Sequence, residues 1–427
     1  MMMATPGYPN RAIWSWALYD WANSAFATVV LAGFFPLLFS DYWNSGTDAA
    51  TASLRLGWAN AIISIVIVCI APLFGAVADR AAAKKRFLAG FMVLGVVATA
   101  GLWQVDKGDW LSAATLFVLG GIGFLGGNTF YDALLPTVSP REHLHTISGL
   151  GYGLGYLGGG LLYLLCVIAV LMPSTVGFSA TVDAAKASFL ATAVWWAVFS
   201  LPLLLVVREP ERRGDGAAVW REGARQVVDT FRNIRRFRSV GLFLLAYWLY
   251  IDALDTVVLM AVSYGRSLGF GQKDLILALL VVQFVGFPAA IAYGRLGERF
   301  GARRGIYLGL LAYVGVCIWA AVISHVWEFY AIAVVIGLVQ GGVQSLSRSF
   351  YAGLIPAGES GEFFGFYNLL GKFAAIIGPP LFGLFGTWFG DVRYSTLSLI
   401  ILFALGAWLL SRVPESGRSP SPDAEAA

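Results

Sequence analysis

Apolar residues run along this chain in long unbroken blocks, not in the alternation of a half-buried strand or the narrow stripe of a soluble helix. The blocks fall near residues 12–40, 54–78, 87–105, 110–135, 145–172 and 187–207, then near 239–263, 274–294, 305–324, 328–352, 362–389 and 394–413. A helix rises about 1.5 Å per residue, so about 20 apolar residues cross the hydrocarbon layer of a bilayer. Twelve transmembrane helices are therefore expected, six on either side of one long polar interval. The expected fold class is an all-α polytopic membrane protein with two six-helix pseudo-symmetric bundles. The divisions are an N-terminal bundle over 1–207, a linker over 208–238, a C-terminal bundle over 239–413 and a disordered tail over 414–427. Within the linker, Trp220, Ala224, Val227, Val228, Phe231 and Ile234 share one helical face and arginines the other. That pattern predicts an amphipathic helix lying on the membrane surface among lipid headgroups.

Composition and charge sharpen the topology. The 427 residues are 58% hydrophobic and 13% charged, against about 25% charged in soluble domains. With the N-terminus inside, the inner segments hold 21 of the 29 lysines and arginines, nine of them between Arg208 and Arg238, and the outer segments hold six. Cytoplasmic loops carry such an excess, so both termini are expected in the cytoplasm and the protein in the cytoplasmic (inner) membrane. The net charge of +4 thus speaks to orientation, and nucleic acid is not an expected partner. Cys69, Cys166 and Cys317 lie in apolar runs without ligand spacing, and His143, His145 and His325 form no metal pattern. Two Gly-x-Gly-x-x-Gly matches, from Gly121 and from Gly153, follow no strand and are set aside. No cofactor, no metal and no enzymatic constellation is expected, and the chain is expected to be a monomer.

Three landmarks recur in the same order. Trp16, Asp20, Asn23 and Ser24 return as Trp248, Asp252, Asp255 and Thr256. Gly75, Asp79, Arg80, Lys84 and Lys85 return, each 219 positions on, as Gly294, Glu298, Arg299, Arg303 and Arg304. The run from Phe130-Tyr131 to Pro136 is echoed from Phe350-Tyr351 to Pro356. The halves are thus duplicates in the same orientation, as in parallel-repeat transporters.

The two glycine–acid–basic loops resemble the signature loops of the major facilitator superfamily, after its second and eighth helices. The first copy lacks the usual glycine after the arginine, with Ala81 to Ala83 filling the turn, whereas the second keeps Gly301. The opening stretch Trp16 to Phe26, followed by Phe34-Phe35-Pro36, resembles the branch first called the unknown major facilitator family. That branch includes vacuolar amino-acid effluxers linked to autophagy. The resemblance implies a secondary transporter, with Asp79 capping the eleventh helix and the loop cations forming a conformational latch. The superfamily's antiporter mark, Gly-Pro in the fifth helix, is absent here.

The candidate chemistry lies in charges within the spans. A carboxylate at a helix centre costs about 3 kcal/mol on insertion scales and marks a functional site by default. Asp20, Asn23 and Ser24 share one helical face, and Asp252 and Asp255 occupy the matching helix of the second half. Either set can exchange a proton or receive an amine; the bland alternative is a structural bond between helices. Arg348 and Lys372 are the cations inside spans; they either neutralise Asp252 and Asp255, which share their half, or receive a carboxylate. Asp132 is expected to pair with Arg80 in the latch, with cargo or proton binding as the alternative. Tyr19, Trp21, Tyr247 and Tyr250 are candidates for a cavity wall or for interfacial anchors. The expected function is alternating-access transport of a small polar or zwitterionic solute, amino acids first, coupled to protons. The alternatives are export of lipophilic compounds and a non-transporting membrane sensor or scaffold.

Overall fold

The structure is a computed structural model and describes residues 10–209, 221–223, 225–227, 237–372 and 377–414. It is all-helical among these residues, as a bilayer requires: backbone groups in hydrocarbon must be satisfied within the segment. The first rod, α1, is α-helical over Asn10–Ala25 and π-helical over Phe26–Phe34 and Phe39–Trp43. It is followed by α2 (Ala49–Ala81), α3 (Lys84–Gly101), α4 (Trp110–Ala133), α5 (Leu144–Leu171) and α6 (Thr181–Val206). The second half holds α7 (Arg238–Ser267), α8 (Gln272–Phe300), α9 (Ala302–Ala320) and α10 (Val326–Leu354). It closes with a two-piece α11 (α11a, Ser360–Lys372; α11b, Gly378–Phe389) and α12 (Leu399–Ser411).

Ten of these rods are long and apolar enough to cross a membrane; α9 and the two-piece α11 fill the ninth and eleventh places. At Gly378-Pro379-Pro380 a helix begins. Proline has no N–H and fits a helix only in its first turn, and both prolines sit in the first turn of α11b. Most of the linker's amphipathic face and the tail after Pro414 lie outside the described residues.

Helix starts are capped differently at the two ends of the molecule. At the end opposite the arginine-rich loops, the caps are local. Asp48 accepts from Thr51 N (2.9 Å), Asp109 from Ser112 N (3.1 Å) and Glu328 from His325 N (2.8 Å). At the basic end, α5 and α11a borrow carboxylates from other helices and α3 from the segment that follows α6, as described below. A start capped from a neighbour ties the two helices together, since separation would orphan its amides.

At the basic end the two bundles also approach backbone to backbone. A Cβ at Gly75 of α2 would stand 2.1 Å from Gly361 O of α11a. A Cβ at Gly149 of α5 would stand 2.7 Å from Ala290 O and 3.0 Å from Gly294 Cα of α8. Hydrogen bonds between the halves continue inward to Gln283 Nε2 donating to Thr28 Oγ1 (2.7 Å), about 27 Å along α1 from its start. The turn after Asp79 needs a left-handed residue although its glycine is missing: Ala82 takes φ 46°, and Gly301, its repeat partner, takes φ 88°.

Candidate functional site

Arg348 of α10 is the centre of the buried polar network. It is 2% exposed and points out of its own half. Its Nη1 lies 3.0 Å from Asp132 Oδ1 of α4 and 3.5 Å from Asp20 Oδ2 of α1. Nε donates to Ser148 Oγ and Nη2 to Ser148 O of α5, both at 2.9 Å. The guanidinium also sits over the rings of Tyr152 (4.3 Å), Trp16 (5.0 Å) and Tyr131 (5.3 Å). Only a planar fork can serve so many partners at once, which is why arginine and not lysine fits here. The carboxylates are held further: Asp20 accepts from Tyr131 Oη (3.1 Å) and Ser24 Oγ (3.3 Å), and Asp132 from Asn368 Nδ2 of α11a (3.1 Å). Five helices from both bundles therefore meet at one cation and two carboxylates.

Two expected pairings are corrected by this geometry. Arg348 does not neutralise Asp252 or Asp255 of its own half but reaches carboxylates of the other. Asp132 pairs with Arg348, not with Arg80, which instead meets Glu222 at 3.1 Å. The reason is direction: Arg348 faces the seam between bundles, whereas Arg80 stands at the surface end of α2.

Asp252 sits in different company. It is wholly buried, and its two oxygens accept from Ile377 N (3.0 Å) and Gly378 N (2.8 Å), with Thr256 Oγ1 at 3.4 Å. The carboxylate thus caps the restart of α11b, where the helix dipole favours negative charge. Asp255 is half-buried one turn along. Lys372 ends α11a, and its side chain lies outside the described residues. Asn23 donates to Asn128 of α4, and Gln344 accepts from Tyr156 (3.3 Å). Tyr19 and Tyr250 are buried, Tyr250 bonded to Ser347 (2.7 Å), and Trp21 stacks on Trp195 of α6. All three are packed between helices of their own bundles.

The loop residues form paired inter-helix caps. Asp79 accepts from Gly361 N and Glu362 N, both at 2.9 Å, and pairs with Lys84 Nζ at 2.9 Å, which also reaches Ser360 Oγ (2.8 Å). Glu298, its repeat partner on α8, accepts from Thr146 N of α5 (3.2 Å). Each therefore caps a helix of the opposite bundle. Lys85 Nζ donates to Val207 O (2.5 Å), Arg303 to Val413 O, and Arg299 and Arg304 are exposed. A cavity of about 640 Å³ opens beside Asp79, Arg80, Lys84, Arg141 and Glu209.

Tyr131, Ser148, Tyr152 and Glu209 were missed by sequence reasoning. Tyr131 adjoins Asp132 in a repeated motif, and Ser148 and Tyr152 are one turn apart on a glycine-rich helix; nothing local marks them as partners of Arg348. Glu209 caps α3 by accepting from Lys84 N (2.8 Å) and Lys85 N (2.7 Å). Burial pushes its carboxyl above the usual range, and the two amides pull it back.

Comparison with known proteins places this chain among transporters. The sequence profile described as "Vacuole effluxer Atg22 like" matches residues 42–419. A Bacillus subtilis protein, "Uncharacterized MFS-type transporter YxiO", is 38% identical over 403 residues, covering 94% of each chain. Autophagy-related protein 22-2 of Aspergillus clavatus is 27% identical over 290 residues, which are 61% of this chain and 46% of that longer one. The solved proton:xylose symporter XylE superposes with a TM-score of 0.70 over 95% of both chains at 13% identity, a likeness of fold alone.

Proposed function

Because the chain belongs to the Atg22-like family of major facilitator transporters, multi-pass membrane proteins and not enzymes, we propose that it carries small zwitterionic solutes, amino acids first, by proton-coupled alternating access. One observation carries this reading: a buried guanidinium of one bundle is shared by two carboxylates of the other. Two acids and one cation leave an excess negative charge in a low-dielectric setting, and one proton balances it. Asp20 is the partner a proton releases at smaller loss, because it stands 3.5 Å from Arg348 where Asp132 stands at 3.0 Å.

An α-amino acid needs an anion for its ammonium and a forked cation for its carboxylate. Once Asp20 is protonated, Arg348 has capacity for a solute carboxylate, and Asp255 or Asp132 for the ammonium. Asn23, Ser24 and Lys372 stand on the helices that would border that solute. The glycine–acid–basic residues, from Gly75 to Lys85 and from Gly294 to Arg304, form the latch in this reading. By the excess of cations the basic end faces the cytoplasm. The latched state is then closed inward, in a cytoplasmic membrane.

A thermal-shift screen of purified protein tests the cargo, since a ligand that binds only the folded state stabilises it by linkage. One or more α-amino acids should raise Tm, their amine-only and acid-only analogues should not, and Arg348→Lys should abolish the shift. Stabilisation by lipophilic cations with none by amino acids would contradict the reading.

A further inference from the structure

Described residues of the linker lie against the seam between the bundles. Residues 221–223 and 225–227 are helical. Arg80, next to the latch carboxylate, donates from Nε to Gln226 Oε1 (2.9 Å) and pairs through Nη1 with Glu222 Oε2 (3.1 Å). Gln226 Nε2 in turn donates to Glu362 Oε2 of α11a (2.5 Å), a side chain that is wholly buried. Gln226 thus joins α2 of one bundle to α11a of the other, beside the amides that Asp79 holds. Between Glu222 and Gln226 lies Gly223, where a Cβ would stand 2.8 Å from Val77 Cγ2 and 3.1 Å from Val77 N. While Val77 keeps its Cγ2, that close approach is open to glycine and closed to a residue as large as leucine.

We propose that this segment is a removable strap: docked, it holds the basic-end gate shut, and it must lift from the α2–α11a seam before the bundles part there. Glu222 and Gln226 are four apart and share the docked face. Arg221 and Arg225, also four apart, are exposed. An exposed pair such as Arg80–Glu222 contributes little by itself, so the strap is held by the sum of small contacts and can exchange. Its bonds span both bundles, so parting the bundles breaks them. The proposal is independent of the cargo and of the proton, and its test needs neither.

The test uses the full chain in proteoliposomes, with Cys69, Cys166 and Cys317 replaced by alanine and Ala133→Cys as reporter. Ala133 is wholly buried at the seam, where its carbonyl accepts from Ser360 Oγ (2.8 Å). The readout is the rate at which a membrane-impermeant maleimide labels it. Glu222→Ala with Gln226→Ala, and separately Gly223→Leu, should speed labelling several-fold by undocking the strap. Val77→Cys with Gly223→Cys, whose Cβ atoms fall within disulfide range, should slow it several-fold when oxidised. The proposal stands if undocking and crosslinking move the rate in these opposite directions. An unchanged rate in either, or a shift of both in one direction, overturns it.

Discussion

Arg348 holds two carboxylates of the opposite bundle with one charge, and that economy has a measurable consequence. Removing a buried cation leaves its anions unpaired in a medium that cannot solvate them, at about 3–5 kcal/mol. Arg348→Ala should therefore lower Tm sharply in detergent, and adding Asp20→Asn and Asp132→Asn should restore much of it. A single variant as stable as wild type would mean that the bridge is not holding the bundles. At this scale the sequence disclosed which residues matter but not whom they meet. Charges in apolar runs stand out because each is costly there. Their pairing depends on which faces of separate helices confront each other, and one sequence does not encode that locally. Arg348 was thus expected either to neutralise Asp252 and Asp255 of its own half or to receive a carboxylate, and instead crosses to Asp20 and Asp132.

Among the described helices, α11 has a second piece whose start rests on another element. Its second piece begins at Gly378 and Pro379, and the amides of Ile377 and Gly378 are met by Asp252 of α7. Loss of such a cap costs about 0.5–2 kcal/mol. Asp252→Ala should speed hydrogen exchange at Gly378 by roughly the factor that cost implies, while Asp252→Asn, whose single amide oxygen can accept from only one of the two N–H groups, should fall between it and wild type. Equal exchange in both variants would remove the cap from the account. The helices themselves were legible, because an apolar run of the right length has few alternatives in a bilayer. The π-helical turns of α1 were not, since Phe26 to Phe34 reads as an ordinary apolar run. The inter-helix caps had one sign in the sequence: an acid and cations repeated at the same spacing in both halves.

For the whole molecule, the repeat explains why the seam is closed at one end. Gly75 meets Gly361 and Gly294 meets Gly149, while Asp79 and Glu298 each cap a helix of the other half. In the transport cycle proposed above, two equivalent locks release as the bundles rock, and the Asp20–Arg348–Asp132 bridge lies deeper along the same seam. Under that proposal opening parts the bridge, which links the charge state of Asp20 to the position of the gate. The all-helical membrane fold was legible in the apolar runs and the family in the order of the motifs. The conformational state was not, because the closed and the open arrangement share one sequence.

The most direct test is uptake of radiolabelled amino acids into proteoliposomes under an imposed pH gradient, with wild type beside Asp20→Asn. The account predicts that wild type accumulates solute against its gradient only while the pH gradient lasts, and that Asp20→Asn equilibrates solute without concentrating it. Accumulation by Asp20→Asn to the wild-type level would contradict the claim that the carboxylate facing Arg348 carries the proton.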